Sequence, residues 1–319
     1  MFLALDENGS QITAADAVKN RKYFCPVCEA PVTFKSGNIK LPHFSHHRIL
    51  DCIRYLYKKE SIEHLQAKHD LYLKVRESAA VAMEYYLPAI EQIPDLLVDE
   101  RLALEIQFST ISAELIRERS KGYHSLGMEV IWLLDEESIR MESGRCMPTN
   151  FQLSTQYMRS LFTYNTKTGK VHRIMLHHNH GCGRWSYVRR ETDVPELLLI
   201  EPFLQEETRQ LTGSEIKLMI QRERQQRSVL NSTLSFMYHL GLDESRIPPH
   251  LCWTIEAERW ILNPPLEWKL FLYLHIQKGT FHMDMFGRFI RMRTVQGAPE
   301  KEQVMKELLY GYYMLYNSQ

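Results

Sequence analysis

Two cysteines and two histidines near the beginning of the chain have the spacing of a metal site. Cys25 and Cys28 are separated by two residues, and His43 and His46 follow after a further fourteen. Two thiolates and two imidazoles at this spacing suit a tetrahedral zinc ion. A small ribbon with few apolar residues needs such an ion in order to fold. The sequence therefore predicts a structural Zn²⁺ site.

The identity of the four zinc ligands stays open at the level of sequence. His47 could replace His46, and Cys52 could replace either histidine. The alternatives to zinc are ordinary buried thiols beside surface histidines, or a redox pair. We disfavour the redox pair because the flanking pattern is not a thioredoxin-like βαβ unit. Four protein ligands would close the coordination sphere, which favours a structural role over a catalytic one.

A second group of polar residues lies on two neighbouring predicted strands. Glu105 and Gln107 are two residues apart, so their side chains lie on the same side of one strand. Asp95 begins the preceding strand, and it converges with Glu105 if the two strands pair. Carboxylate oxygens are the ligands that Mg²⁺ prefers, and the bound ion can activate water. The alternative for Asp95 alone is a solvated position on an edge strand.

An alternation of helices and strands must position these side chains. A helix is predicted over residues 58 to 78, and a second helix begins at Ser112 and ends at Gly127. The continuous apolar run from Met128 to Leu134 is typical of a buried parallel strand. Three further strands are predicted at Ala80 to Leu87, Asp95 to Val98 and Leu102 to Phe108. The resulting α-β-β-β-α-β order predicts an α/β sandwich core.

Pro94-Asp95, nine intervening residues and Glu105-x-Gln107 resemble the PD-(D/E)XK nuclease signature. The αβββαβ order resembles the restriction-endonuclease-like core of the same family. The resemblance implies catalytic roles for Asp95, Glu105 and Gln107, with Mg²⁺ or Mn²⁺ bound by Asp95 and Glu105. Gln107 stands where lysine is usual. An amide can orient a water molecule but cannot stabilise charge as a lysine would.

The predicted first helix carries Glu60, His64 and Lys68 at intervals of four residues, which places them on one face. The nuclease resemblance implies that Glu60 adds a catalytic carboxylate and that His64 and Lys68 face DNA phosphates. A salt-bridged helix face is the alternative. Four residues of the second helix could also face phosphates or simply be solvated: Arg117, Arg119, Lys121 and Tyr123.

Residues 151 to 191 form a basic region with interleaved aromatic residues. Seven lysines and arginines stand there against one acid, Glu191. Basic side chains attract phosphates and aromatic rings stack on bases, so this composition favours single-stranded DNA. The contacts predicted for this region are Arg184, Trp185, Arg189 and Arg190. The alternative is a basic surface above aromatic residues that belong to the core.

The basic region also contains the cluster His177, His178, His180 and Cys182. Its tight spacing would strain four ligands around one ion. We therefore predict a polar loop rather than a second metal site.

A wider set of motifs is similar to the competence protein CoiA family. The set begins with Cys-Pro-x-Cys and His43-Phe-x-His46, continues through the Glu60/His64/Lys68 helix and Asp95, and ends with Glu105-Ile-Gln-x-Ser and Val-Ile-Trp132. The resemblance covers residues 1 to about 135 well and the remainder more weakly. It implies a competence-induced bacterial protein of the cytoplasm that promotes recombination of incoming single-stranded or branched DNA with the recombinase RecA.

The composition limits these hypotheses without choosing among them. The chain has 319 residues, with 39 lysines and arginines against 39 acids. Zero net charge excludes a uniformly basic protein but leaves room for a local basic patch. No apolar run approaches the roughly 20 residues of a membrane helix, so we expect no membrane span.

The organisation along the chain predicts four regions. They are a zinc-ribbon-like subdomain (1–57), the PD-(D/E)XK nuclease-like domain (58–150), a basic and aromatic connecting region (151–198) and a mainly helical C-terminal domain (199–319). In the last region we predict one long helix from Ser214 to Leu240 and two more at 266–277 and 299–316.

Three functions follow from these predictions. The first is a DNA-binding recombination accessory protein with a nuclease-like fold. The second is an active Mg²⁺-dependent DNA nuclease. The third is a protein-interaction scaffold with weak DNA affinity.

Overall fold

The computed structural model describes residues 1–37, 42–47, 52, 61–199, 208–226, 231–295 and 297–317. The chain divides into two compact units. Unit 1 comprises Met1–Ser138, Leu161–Arg173 and Arg190–Glu201, and unit 2 comprises Ile139–Ser160, Ile174–Arg189 and Pro202–Gln319.

Unit 1 begins with a small antiparallel sheet in the order β2-β1-β3-β4-β5. Its strands are β1 (Leu3–Leu5), β2 (Gln11–Thr13), β3 (Tyr23–Phe24), β4 (Pro31–Lys35) and β5 (His43–His46). The turn between β1 and β2 uses Gly9 at φ +77°, a conformation that glycine adopts without strain. Tyr23, Phe34 and Phe44 pack together with ring centroids 5.0 to 6.2 Å apart. This aromatic cluster is the core of the small sheet.

The next part of unit 1 has the predicted order of elements. These are α1 (Ile62–Val75), β6 (Val81–Met83), β7 (Leu96–Val98), β8 (Leu102–Gln107), α2 (Ala113–Ser125) and β9 (Glu129–Asp135). Ser61 and Ser112 cap the two helices by accepting backbone hydrogen bonds, which satisfies donors that a helix start leaves open. The prediction of a mixed α/β architecture is confirmed.

The sheet of unit 1 combines antiparallel and parallel pairs. β6, β7 and β8 form an antiparallel meander, and α2 connects β8 to the parallel strand β9. β12 (Ser160–Asn165) extends the parallel part beside β9. Since β8 and β9 have neighbours on both sides, their apolar residues form the centre of the core.

Unit 2 contains short strands followed by helices. The strands are β10 (Met141–Glu142), β11 (Arg145–Cys146), the second part of β13 (Lys170–Asn179), the first part of β14 (Trp185–Thr192), β15 (Arg209–Gln210) and β16 (Trp253–Thr254). The helices are α3 (Asn150–Ser154), α4 (Gly213–Gln225), α5 (Ser232–His239), α6 (Pro265–Gln277), α7 (Met283–Phe289) and α8 (Lys301–Asn317). Short 3₁₀ helices span Glu136–Ser138 and Val194–Leu199 in unit 1 and Pro249–Leu251 and Glu256–Trp260 in unit 2.

The prediction of one helix from Ser214 to Leu240 is wrong, because two helices occupy that range. α4 ends at Gln225, and α5 begins after Asn231, whose backbone is extended. The Asn231 side chain accepts a hydrogen bond from the Leu234 amide at 3.0 Å and so starts a new helix. The two other predicted helices correspond to α6 and α8. No helix in the described part of the chain combines the length and the apolar character that a bilayer crossing requires.

Candidate functional site

Four metal-ligating side chains come together beside the small sheet of unit 1. One ligand atom from each of Cys25, Cys28, His46 and Cys52 lies within 4.8 Å of every other. The Cys25 and Cys52 sulfurs are 4.0 Å apart, and Cys28 Sγ lies 3.4 Å from His46 Nε2. Tetrahedral zinc with ordinary bond lengths requires about 3.8 Å between sulfurs and about 3.6 Å between sulfur and nitrogen. The donor set and its spacing therefore fit a structural zinc ion.

The connection between β3 and β4 builds half of this cluster. The Cys25 amide donates to the Ala30 carbonyl at 2.9 Å, and the Glu29 amide donates to the Cys25 carbonyl at 2.9 Å. Glu29 adopts φ +57°, which closes the turn around the two cysteines. The Val27 amide lies 3.4 Å from Cys25 Sγ. An amide aimed at a sulfur stabilises its thiolate form, which is the form that binds zinc.

The ligand set differs in one member from the first set that the sequence suggested. His43 is not among the four grouped residues, and Cys52, the alternative left open above, takes its place. His43 pairs with Lys35 at the other end of β5 from His46. His47 Nε2 lies 3.0 Å from the Thr33 hydroxyl. Spacing alone could not decide between His43 and Cys52, because the choice depends on where the chain returns after β5.

A buried lysine joins the two carboxylates of a second cluster in unit 1. Lys68 Nζ lies 2.8 Å from Asp95 Oδ1 and 3.1 Å from Glu84 Oε1. His64 Nε2 lies 3.1 Å from Asp95 Oδ2, and the same oxygen accepts the Ile106 amide at 2.8 Å. Lys68 is 1% exposed and Asp95 is 7% exposed. Lys68 and His64, both from α1, thus contact the Asp95 carboxylate, which directly precedes β7.

Glu84 is a member of this cluster that the sequence analysis missed. Its Oε2 accepts the Phe2 amide at 3.2 Å, and its backbone has φ +52°. A non-glycine residue in this region carries strain and is held there by its surroundings. The available signal was an acid directly after the apolar residues of β6. Its partner Lys68 lies sixteen residues earlier on a helix, so no local pattern links them.

Glu105 lies on β8, next to Asp95 across the strand pair. Leu96 pairs with Leu104, so the next antiparallel position places Asp95 opposite Glu105. Arg119 Nη2 lies 2.5 Å from Glu105 Oε1, and the Tyr123 hydroxyl donates to the same oxygen. Both partners come from α2. The predicted convergence of Asp95 and Glu105 is therefore present, with each carboxylate held by cations from a different helix.

The two carboxylates have opposite pKa shifts. Burial raises the pKa of Glu105 to about 7, because Arg119 only partly offsets the loss of solvent. Burial also acts to raise the pKa of Asp95, but the charges of Lys68 and then His64 outweigh it and hold that pKa below the ordinary value. Asp95 is therefore ionised at neutral pH, whereas Glu105 is only partly ionised there.

These residues do not form a ready-made Mg²⁺ site. Oxygens of both carboxylates already contact cationic side chains. Within the described ranges, the Cys25, Cys28, His46 and Cys52 group is the sole set of three or more histidine, cysteine or acidic side chains placed to share a metal ion. Glu60, the predicted third catalytic carboxylate, lies outside the described residues. Gln107 donates to the Ser109 carbonyl and hydroxyl at 2.7 and 3.0 Å.

The predicted DNA contacts divide into exposed and buried residues. Arg117, Lys121, Arg189 and Arg190 are exposed, and Arg184 is partly exposed. Three others, Lys68, Tyr123 and Trp185, are 3% exposed or less. Lys68 and Tyr123 contact the carboxylates instead, and the Trp185 ring has no open face for a base. The charge and aromatic content of a sequence do not show which side chains are buried by packing, so these three could not be excluded in advance.

The 177–182 segment belongs to a polar cluster in unit 2. His180 Nδ1 lies 2.5 Å from Glu215 Oε1, and His180 Nε2 lies 2.6 Å from the Ser186 hydroxyl. Arg209 Nη2 donates to Glu215 at 2.8 Å. These contacts fit a polar loop at residues 180–182, but the loop prediction is wrong for His177 and His178, which lie on strand β13.

Comparison with known proteins gives matches over the N-terminal and central parts of the chain. The family model described as "Competence protein CoiA, N-terminal domain" matches residues 7–53. The model described as "Competence protein CoiA, nuclease-like domain" matches residues 60–187. The chain is 31% identical over 142 residues to a curated protein named "Competence protein CoiA" from Bacillus subtilis (strain 168). That match covers 43% of this chain and 37% of the length of the relative. No solved structure matches the chain.

Proposed function

We propose that this chain, which belongs to the competence protein CoiA family, is a DNA-binding accessory protein of natural transformation. In this proposal it acts in the cytoplasm, binds incoming single-stranded or branched DNA and promotes recombination together with the recombinase RecA. The α1-β6-β7-β8-α2-β9 part is a PD-(D/E)XK core that serves as the DNA-binding platform. The zinc ribbon is its structural N-terminal subdomain.

The observation that carries this proposal is the internal neutralisation of the carboxylate cluster. Bare carboxylates repel phosphates, and a nuclease overcomes that repulsion with bound metal ions. Here Lys68 contacts Asp95 and Glu84, and Arg119 contacts Glu105. The raised pKa of Glu105 lowers the negative charge further. The cluster can therefore lie beside a DNA strand without a metal ion to screen it.

The exposed arginines and lysine on α2 and β14 supply the attraction in this proposal. Arg117 and Lys121 are one turn apart on α2, and Arg189 and Arg190 are consecutive on β14. Contacts of this kind position a strand through its phosphates without reading its sequence. Binding should therefore weaken steeply with salt.

One observation favours a second candidate, an active metal-dependent DNA nuclease. Lys68 places an amine 2.8 Å from Asp95, so α1 supplies the positive charge that Gln107 cannot. Asp95 and Glu105 would then bind the metal ion, and Lys68 from the helix would take the role of the lysine that the PD-(D/E)XK pattern places on the strand. A bound Mg²⁺ would supply the activated water. The ion would have to displace Lys68 or Arg119 from the carboxylates first.

The deciding experiment titrates the full chain against labelled single-stranded, double-stranded and forked DNA in Mg²⁺, Mn²⁺ or EDTA. The test variant is Asp95→Asn with Glu105→Gln, which keeps shape and removes charge. The control variant is Asp99→Asn with Glu100→Gln, which removes two exposed carboxyl groups from the turn between β7 and β8. Binding is read by fluorescence anisotropy and cleavage on a denaturing gel.

We expect binding in EDTA that neither variant weakens, and no cleavage in any lane. Metal-dependent cleavage that the Asp95/Glu105 variant loses and the control variant keeps would establish the nuclease instead. A weak affinity that is flat with salt would contradict both DNA functions and favour the scaffold.

A further inference from the structure

An open groove on the small sheet of unit 1 is lined by basic side chains and by no acid among the described residues. Its volume is about 1240 Å³. The residues that define its chemistry are Lys19, Arg21, Lys22, Lys35 and Phe24. We call this feature the ribbon groove. Neither the sequence motifs nor the carboxylate cluster includes any of these residues.

The four basic residues of the ribbon groove present their charge to solvent. All four are exposed, and none has an ion-pair partner in the part of the chain that the structure describes. Elsewhere in unit 1 the exposed Lys170 is paired with Glu191 at 2.8 Å. Four unneutralised cations around one concave surface create a positive potential that attracts a polyanion.

The segment that carries three of these cations is held in place by the core of the sheet. The Tyr23 hydroxyl accepts the Val18 amide at 2.8 Å and donates to the Val18 carbonyl at 3.0 Å. Tyr23 itself is 1% exposed and packs on Phe44. Asn20 turns the chain with φ +67°. The buried Tyr23 thus holds both ends of the segment that carries Lys19, Arg21 and Lys22, directly at Tyr23 and through the Val18 backbone.

An aromatic ring completes the lining. Phe24 on β3 is partly exposed and lines the groove, whereas the ring of Phe34 on β4 packs on Tyr23 and Phe44 in the core of the sheet. Cys25 and Cys28 lie in the connection between these same strands, so the predicted zinc ion would stiffen the hairpin. Cations that track a backbone and rings that stack on bases are the two parts of a single-strand binding surface. Double-stranded DNA keeps its bases stacked inside and could use only the cations.

We propose that the ribbon groove binds a single strand of nucleic acid, with phosphates on Lys19, Arg21, Lys22 and Lys35 and a base against Phe24. The inference rests on the proposed function, because both take DNA as the ligand. It adds a binding place and a preference for single strands, neither of which the carboxylate cluster supplies. The preference for unpaired bases comes from the Phe24 ring, and the affinity comes from the cations.

The test measures binding of a fluorescein-labelled thirty-nucleotide poly(dT) strand to the full chain over a series of salt concentrations. The groove variant combines Lys19→Gln, Arg21→Gln and Lys22→Gln. Losing three phosphate contacts on a single strand should flatten the slope of log affinity against log salt by about 2 and weaken binding about tenfold or more. A second variant, Phe24→Leu, should weaken poly(dT) binding about fivefold and leave a duplex unaffected.

The matched control combines Lys217→Gln, Lys278→Gln and Lys301→Gln, three exposed lysines on helices of unit 2. It removes the same net charge and should bind like the wild type. One zinc per chain in every variant shows that the small sheet is intact. If the groove variant loses zinc, a second groove variant with Lys22→Gln and Lys35→Gln is used in its place. We expect this variant to lose affinity for poly(dT) at least twofold.

The outcomes separate this inference from the proposed function. Wild-type binding with an unchanged groove variant would overturn the inference and leave the proposed function standing. No salt-dependent binding by the wild type would overturn both. Equal losses on poly(dT) and on duplex, with no effect of Phe24→Leu, would overturn the single-strand assignment. A loss on anionic lipid vesicles without a loss on poly(dT) would overturn the nucleic acid as the occupant.

Discussion

Each of the two units buries a lysine against carboxylate, and the two lysines differ in what surrounds them. In unit 2, Lys269 contacts Glu258 and donates to the Pro265 carbonyl at 2.9 Å, and both charged side chains are 1% exposed or less. In unit 1, Lys68 is shared by two carboxylates, and its neighbours reach the surface, with His64 at 16% and Asp95 at 10% side-chain exposure. The first pair is sealed, whereas the second belongs to a cluster that solvent can reach.

The pKa directions express the same difference. Burial raises the pKa of Glu258 and lowers the pKa of Lys269, so each charge of this sealed pair depends on the other for its stability. The pKa of Asp95 is lowered instead, because Lys68 and His64 outweigh burial. A buried charge that persists at neutral pH is costly, and such charges are common at functional sites. From this contrast we expect a structural role for Lys269 and a functional role for Lys68.

The two units also differ in what stabilises them. Unit 2 packs its helices around a continuous apolar core that includes Trp268, Phe271 and Phe286. The small sheet of unit 1 has a short aromatic cluster and the cysteine and histidine group. Metal should therefore matter for one unit and not for the other.

The largest expected effect is the loss of zinc from the small sheet. We expect His46→Asn to lose the metal and expose residues 1–37 to protease, while His43→Asn keeps one zinc per chain. Structural zinc contributes about 10 kcal/mol or more in apparent binding free energy, which a sheet of this size cannot replace. Zinc content and mass-mapped proteolysis provide the measurement. Loss of zinc by the His43 variant and not by the His46 variant would reinstate His43 as the ligand.

The next effect compares the two lysines by the same substitution. Lys269→Met leaves the Glu258 carboxylate buried without its cation, and among the described side chains the Trp268 indole remains as a hydrogen-bond donor to it. We therefore expect the free energy of unfolding to fall by about 3–5 kcal/mol. Adding Glu258→Gln should restore most of it, because a neutral amide needs no counter-charge. Urea unfolding measures both.

Lys68→Met should cost less stability than Lys269→Met. Asp95 keeps His64 and the Ile106 amide, and Glu84 keeps the Phe2 amide. The variant should instead weaken DNA binding, since Asp95 and Glu84 then face the strand without their shared cation. Equal stability losses with unchanged DNA affinity would contradict the division into a structural and a functional lysine.

Local patterns predicted the elements, and tertiary contacts decided the sites. The apolar run of β9 and the Ser112 cap of α2 are readable from neighbouring residues, as is the Cys25-x-x-Cys28 turn. Glu84 and Cys52 belong to their clusters only because distant segments of the chain come into contact, which no local pattern reveals. The break before α5 was missed although Asn231 is a cap residue, because no glycine or proline marks it.

The smallest expected effect is the pH dependence of stability that Glu105 of unit 1 should contribute between about 4.5 and about 7. The pKa of Glu105 is raised from 4.5 to about 7, so the folded chain holds a proton there that the unfolded chain releases. Glu105 should therefore make stability fall as pH rises through this window, by at most about 1.4 kcal/mol per pH unit, and stay level above it. Asp95 has the opposite sign and a separate window, because its lowered pKa confines its effect to acid pH.

Glu105→Gln removes this slope, and Glu302→Gln in unit 2 is the matched control. The hydrogen bond from Lys306 lowers the pKa of the exposed Glu302, so its effect lies below the window. Urea unfolding from pH 4.5 to 8 gives the difference between each variant and the wild type, in which the shared histidines cancel. A flat difference for Glu105→Gln would mean that Arg119 outweighs burial. Both carboxylates would then be fully charged at neutral pH, and the argument that the cluster tolerates DNA without metal would fail.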